Sequence, residues 1–172
     1  MAQKKHHVVI VGGGFGGLHV ARALKSKNIQ ITLVDRKNHH LFQPLLYQVA
    51  TGGLSQADIA SPIRGILKKR QHIRVLLGEV IDILPRQKKI ILKDCDIDYD
   101  TLVVATGVQH HYFGNESWEE HAPSLKSVED AIYIRKKILQ AFEIAELEQS
   151  VSQRQQFLNF IIVGGGSTGV EM

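Results

Sequence analysis

The stretch His7-Val8-Val9-Ile10-Val11-Gly12-Gly13-Gly14-Phe15-Gly16-Gly17 decides the fold. Its opening run is apolar and largely β-branched, the pattern of a strand buried on both faces of a parallel sheet. The glycines stop that strand. Leu18, Val20, Ala21 and Leu24 then recur at helical spacing, with Arg22 and Lys25 on the other side, so an amphipathic helix is expected up to Asn28. Ile29 to Asp35 reads as a second strand. Strand, glycine turn, helix and strand make a βαβ unit, which is right-handed by rule.

Gly12-x-Gly14-x-x-Gly17 has the spacing of a dinucleotide fingerprint. The first glycine makes the tight turn, the second lets backbone approach a pyrophosphate, and the third lets helix and strand pack closely. The helix start adds N–H donors and a positive dipole. Asp35 ends the second strand roughly 20 residues past the glycines, where a carboxylate accepts bonds from an adenosine ribose. The fingerprint alone fits FAD and NAD equally.

Further along, Arg36 to Leu54 reads as irregular, broken at Asn38, Pro44, Gly52 and Gly53. Ser61-Pro62 has the chemistry of a helix start, Ser as cap and Pro at the first position, for a helix through Lys69. Ile73 to Leu77 reads as a third buried strand. Val80 to Leu84, Lys89 to Leu92 and Ile97 to Tyr99 are short strands joined by polar turns, an antiparallel meander. Leu102 to Ala105 is a further strand closed by Thr106-Gly107. Ser127 to Glu148 is a long helix with Ile132, Ile134, Ile138, Phe142 and Ile144 as candidate inner positions. Ser150 to Gln156 reads as a polar linker. Phe160 to Val163 then enters a second fingerprint, Gly164-x-Gly166-x-x-Gly169.

The chain has 172 residues, 44% hydrophobic and 22% charged, enough for one domain with a real core. Lys plus Arg is 21 against 17 for Asp plus Glu, a net +4 that is scattered, so nucleic acid is not the expected partner. The lone Cys95 excludes an internal disulfide framework, a CxxC pair and a thiolate zinc site. No apolar stretch approaches the length of about 18 residues that a membrane span needs, and Met1 to His7 has no signal-peptide pattern. His6-His7, His39-His40 and His110-His111 are adjacent pairs whose side chains diverge on a strand, so no metal site is expected. Lys68-Lys69-Arg70 reads as a solvated helix end complementing the dipole.

The order fingerprint, meander, Ala-Thr-Gly strand end and second fingerprint resembles the two-dinucleotide-domain flavoprotein reductases of the pyridine nucleotide-disulfide oxidoreductase superfamily. Phe42-Gln43-Pro44-Leu45-Leu46-Tyr47-Gln48-Val49-Ala50-Thr51-Gly52-Gly53-Leu54-Ser55, with Gly164-Gly165-Gly166-Ser167-Thr168-Gly169-Val170-Glu171, is more specific. Together these stretches resemble the type II, non-proton-pumping NADH:quinone oxidoreductases. The resemblance covers essentially the whole chain, but only the N-terminal part of the family's length.

The resemblance implies an α/β fold: a Rossmann-like FAD-binding domain with a parallel sheet and a three-stranded meander, then the start of a second Rossmann unit. It implies a FAD-binding domain over 1–114, a connecting helix and linker over 115–156, and the opening of the NADH-binding domain over 157–172. It places Gly12, Gly13, Gly14, Phe15, Gly16 and Gly17 at the FAD pyrophosphate, and Asp35 and Arg36 at the adenosine ribose. It makes His40 a flavin contact, sets the Val80 backbone at the adenine edge, and puts Ala105, Thr106 and Gly107 beside the flavin pyrophosphate. Gln48 falls near the isoalloxazine. Gly164, Gly166 and Gly169 would cradle the NADH pyrophosphate. Glu171 matches a family active-site glutamate; on the residues alone it is equally a first-turn acid that complements the helix dipole.

The implied reaction is hydride transfer from NADH to flavin, then two electrons to a membrane quinone. The implied location is peripheral, on the cytoplasmic side of the inner membrane, with the chain itself soluble. Disulfide and sulfide:quinone reductases of this architecture need two cysteines beside the flavin, and Cys95 is alone. A flavin reductase serving a ferredoxin-like protein, and a nucleotide-binding module without turnover, remain alternatives. The helix after Gly169 and the acid of the second fingerprint lie past Met172, so a fragment is expected, inactive alone, with Phe160 to Val163 free to associate with another copy.

Overall fold

The computed structural model describes residues 4–172. In chain order its elements are β1 (His6–Val11), α1 (Phe15–Ala23), β2 (Ile29–Asp35), β3 (His39–Leu41), α2 (Leu46–Ala50), α3 (Gln56–Ile59), β4 (Ala60–Pro62), α4 (Ile63–Leu67), β5 (Ile73–Leu77), β6 (Val80–Leu84), β7 (Lys89–Leu92), β8 (Asp96–Asp98), β9 (Thr101–Val104), α5 (Val128–Leu147), α6 (Val151–Phe157) and α7 (Ser167–Glu171). They fall into two compact units. One carries the chain to His40 and again over Ser61–Val108; the other takes Leu41–Ala60 and Gln109–Met172.

The first unit is three layers. β5, β2, β1 and β9 form a parallel sheet in that order, with Val8 opposite both Ile31 and Thr101. Alternate residues of a strand face opposite ways. Val8, Ile10, Ile31 and Leu33 therefore pack under Leu18 and Ala21 of α1 and Ile63 and Leu67 of α4. Val9, Val11 and Val34 pack on the other face against Ile90 and Leu92 of the antiparallel β6-β7-β8 meander. Both faces are covered, which is why the strands read as continuous apolar runs. Burying a Val, Leu or Ile side chain contributes about 1.5–3 kcal/mol, so Ile10, Ile31 and Leu33, each fully buried, anchor the unit.

In the second unit Leu46, Val49 and Ala50 of α2, Ile59 of α3 and Ala131 of α5 form a separate core. Ser127 caps α5: its side chain accepts the Asp130 N–H at 3.1 Å while Asp130 accepts the Ser127 N–H at 2.9 Å.

The parallel sheet and the meander stand where the sequence puts them. The helix expected past Met172 has already started as α7, Ser167–Glu171, and six further expectations are corrected. α1 stops at Ala23, not Asn28, because Leu24 turns extended at ψ 100°. The stretch 36–54 is not irregular. It holds β3 and α2, and Pro44 lies in a 3₁₀ turn leading into α2 rather than breaking it. Ser61 and Pro62 belong to β4, so α4 begins at Ile63 with Pro62 as cap residue. Among the candidate inner positions of α5, Ile132, Phe142 and Ile144 are exposed; Val128, Ala131 and Ala145 are the buried ones. Small residues let the helix approach its neighbours, and a hydropathy pattern scores them low. Ser150 to Gln156 is mostly helical, as α6. Phe160 to Val163 joins no ladder among the described residues and is exposed. A strand needs a partner to form, and this segment has none.

Candidate functional site

The glycine turn sits at the C-terminal ends of β1 and β2, where ligands bind in open α/β sheets. The Gly12 N–H donates to the Val34 carbonyl at 2.8 Å, and Gly12 takes φ +106°. A Cβ there would lie 2.2 Å from the Ala105 carbonyl oxygen, so only glycine fits. A Cβ on Gly17 would lie 1.8 Å from the Gly12 carbonyl oxygen. Gly12 and Gly17 are thus explained by the protein's own packing. Gly14 is not: a Cβ there would meet nothing within 4 Å. Its backbone faces open space at the start of α1, which has no side-chain cap and no acid in its first turn. That arrangement suits an anion.

Gly13 is held from both sides. Its N–H donates to Asp35 Oδ2 at 2.5 Å, and its carbonyl accepts from His40 Nδ1 at 3.2 Å. A carbonyl only accepts, so His40 carries a proton on Nδ1, and its Nε2 is the acceptor when the ring is neutral. The Asp35 Oδ1 accepts the Lys37 N–H at 2.6 Å. The carboxylate therefore braces the turn while its remaining lone pairs stay available for hydroxyl donors. Phe15 stands edge-on to the His40 ring, with centroids 4.9 Å apart.

Around this nucleus the first unit brings in the other expected residues. The Ala105 N–H donates to the Val11 carbonyl at 2.8 Å, which carries Thr106 and Gly107 to the turn; both are exposed, and Gly107 takes φ +72°. The Gly78 N–H donates to the Asp35 carbonyl at 2.9 Å, which brings the start of β6 and Val80 close to the acid. Arg36 follows Asp35 and is exposed. Sequence reasoning missed Ile63. A Cβ on Gly13 would lie 2.5 Å from Ile63 Cδ1 and 3.2 Å from Asp35 Oδ2, so a larger residue there would press on both side chains. The signal was the surplus glycine in Gly12-Gly13-Gly14, which the three-glycine pattern does not require.

The remaining expected residues lie in the second unit. Gln48, on α2, is half-buried and donates to Tyr47 Oη at 3.0 Å. Gly164 to Gly169 repeats the first turn closely. Gly164 takes φ +115°, and a Cβ on Gly169 would lie 2.1 Å from the Gly164 carbonyl oxygen. The Val170 N–H donates to the Gly166 carbonyl at 3.1 Å, as the Leu18 N–H does to Gly14 at 3.0 Å. Glu171 is exposed at the end of α7.

The family described as pyridine nucleotide-disulphide oxidoreductase matches residues 6–172. A type II NADH:quinone oxidoreductase, NdhA, of Mycobacterium tuberculosis is 48% identical over 172 residues, covering 98% of this chain and 37% of that protein. NDH2 of Plasmodium falciparum, solved in complex with NADH, superposes with TM-score 0.79 at 27% identity over 88% of this chain and 32% of that one. The sulfide:quinone oxidoreductase of Aquifex aeolicus superposes with TM-score 0.74 at 30% identity over 80% and 32% respectively. The chain spans about a third of the length of each of these proteins.

Proposed function

The chain belongs to the pyridine nucleotide-disulphide oxidoreductase family, and from that premise we propose that it carries the FAD-binding part, and the opening of the NADH-binding part, of an NADH:quinone oxidoreductase. One observation carries the reading: a single chain holds the same glycine turn twice, at Gly12–Gly17 and Gly164–Gly169, the first with a carboxylate braced beside it. Residues 1–114 are then the FAD domain, 115–156 the connection and 157–172 the start of the nucleotide domain.

The residues of the first turn fit the proposed group, since Gly14 leaves its backbone open to a pyrophosphate. When bound, the flavin would supply two-electron redox chemistry between NADH and a quinone. The protein's part is binding and orientation. Phe15, Gly16 and Gly17 turn backbone N–H groups and the α1 dipole toward the phosphates. Asp35 holds the turn through Gly13 and accepts from the ribose hydroxyls, with Arg36 beside it. The Val80 backbone meets the adenine edge. His40 carries its proton toward Gly13 and presents Nε2 as an acceptor, while Ala105, Thr106 and Gly107 border the pyrophosphate.

Gln48 lies near the isoalloxazine. Gly164, Gly166 and Gly169 take the NADH pyrophosphate, and Glu171 acts beside the nicotinamide. Cys95 is exposed between β7 and β8 and is the one cysteine of these 172 residues, so no dithiol pair lies within them. A quinone is a membrane solute, so the reaction is peripheral to a bilayer, on the cytoplasmic face of the inner membrane. No helix among the described residues is long and apolar enough to cross a membrane. Turnover is assigned to proteins of the relatives' length and nucleotide binding to this chain. The exposed segment Phe160 to Val163 is the surface through which copies would associate.

The test is an FAD titration of the purified chain beside Gly14→Val and Asp35→Ala. Both variants are expected to lose affinity, and unchanged affinity in both would leave the fingerprint a purely structural turn.

A further inference from the structure

His40 carries the titratable ring closest along the backbone to the open face of the glycine turn. Its Nδ1 donates to the Gly13 carbonyl at 3.2 Å. That carbonyl belongs to the same peptide group as the Gly14 N–H, so the ring lies one peptide away from the face left open at Gly14. Phe15 stands edge-on to it, with centroids 4.9 Å apart. A carbonyl only accepts, so Nδ1 keeps its proton whether the ring is neutral or charged. The variable atom is Nε2, a bare acceptor in the neutral ring and an N–H donor in the charged one. Among the described residues no protein group bonds it.

The charged groups around the ring come from four elements. Asp35, at the end of β2, accepts the N–H of the same Gly13 and also that of Lys37, so its carboxylate is already engaged. Arg36 and Lys37 follow it. On α4, Ile63 reaches Gly13 and Arg64 donates to the Val75 carbonyl at 3.1 Å. On α1 there is no acid in the first turn, and the first titratable residue is the exposed His19. His39, beside His40 on β3, faces the other way, with its Nδ1 3.3 Å from the Asn38 side-chain oxygen.

We propose that His40 couples binding of a diphosphate at this turn to uptake of one proton on Nε2. The inference rests on the FAD assignment made above. The neutral ring offers the ligand a lone pair; the charged ring offers an N–H and a positive charge to two phosphate charges. A nearby opposite charge favours the charged form of a histidine, so the bound diphosphate draws a proton from solvent onto Nε2. The Gly13 carbonyl holds Nδ1 throughout, so the turn need not move. The bound ring has the higher proton affinity. By linkage the added ligand affinity is complete below the titration range of the free ring and is lost as pH rises through that of the bound one.

The test is FAD titration of the 172-residue chain from about pH 5.5 to 8, the range in which an ordinary histidine changes charge. A difference of about one pKa unit between free and bound ring gives roughly tenfold tighter binding at the acid end. Calorimetry in two buffers of different protonation enthalpy counts the proton directly, on the wild type alone. His40→Asn retains a side-chain N–H for Gly13 and removes the titration, so its pH dependence and proton uptake should vanish. His39→Asn should keep both. ADP-ribose, which carries the diphosphate without the flavin, should show the same pH dependence as FAD.

Tighter binding in acid with about one proton taken up, both lost in His40→Asn alone, supports the proposal. A wild type that binds FAD saturably with a flat profile and no proton uptake overturns it and leaves the FAD reading intact. A slope that survives in His40→Asn, or is lost equally in His39→Asn, places the proton elsewhere and overturns it. Dependence with FAD but not with ADP-ribose moves the coupling to the flavin and overturns the diphosphate assignment. No saturable FAD binding at any pH refutes the FAD reading and this inference with it.

Discussion

Gly14→Ala separates a ligand-facing glycine from a packing glycine. Gly14 has φ −73° and ψ −164°, extended backbone that alanine adopts without strain, and a Cβ there meets no protein atom within 4 Å. Alanine is a poorer helix cap than glycine, by up to about 1 kcal/mol, but it also lowers the entropy of the unfolded chain by about 0.4–1 kcal/mol. The two effects oppose each other, so the melting temperature should move by no more than about 4 °C. Ligand affinity should fall much further. The methyl group would occupy the face proposed for the phosphates, where each charge-assisted bond to a backbone N–H is worth about 1.5–3 kcal/mol. Losing two costs at least about 3 kcal/mol, more than a hundredfold in Kd.

Gly17→Ala is the counterpart. Its Cβ would sit 1.8 Å from the Gly12 carbonyl oxygen, so it should destabilise the fold itself. Thermal melting beside fluorescence titration with FAD reads both quantities. A Gly14→Ala chain that melts like wild type and binds FAD within threefold of it would refute the assignment of that face to the pyrophosphate.

Asp35→Ala removes the acceptor of the Gly13 N–H. It should cost about 1–3 kcal/mol of stability as well as FAD affinity, so its denaturation midpoint should shift where that of Gly14→Ala does not. Ser127→Ala breaks the α5 capping box; a loss of about 1 kcal/mol is expected by denaturant unfolding, with FAD affinity unchanged. The Asp58 carboxyl is held below its ordinary value of 3.8 by hydrogen bonds from the Ser55 hydroxyl and then the Ser55 N–H. A lowered folded pKa contributes stability that is complete above the unfolded value and lost as pH falls through the folded one. The amide protection factors over α3, corrected for intrinsic exchange, should therefore fall only in acid below about pH 4, and Asp58→Asn should flatten that dependence.

The βαβ unit, the meander and both glycine turns were legible because each rests on local rules: continuous apolar runs, polar turns, and glycines at fixed spacing. What was not legible depends on tertiary partners. Leu46, Val49 and Ala50 read as loop because Pro44 precedes them, yet burial beside Ile59 and Ala131 makes them helical. The inner face of α5 is set by Ala131 and Ala145, too small to mark a hydropathy pattern. Phe160 to Val163 is strand-like in composition and remains unladdered. At the site, the sequence offered Asp35 as a candidate ribose acceptor, while its bond to the Gly13 N–H depends on the folded turn. The surplus glycine is the one trace of Ile63 in the sequence; which side chain lies beside that backbone is set by the tertiary fold.

The measurement that bears most directly on the central claim is the visible absorption spectrum of the chain after incubation with FAD and desalting. Retained flavin absorbance in the wild type, absent in Gly14→Ala of equal thermal stability, is the predicted result. A wild type that emerges colourless, with no saturable FAD binding on titration, would contradict the account.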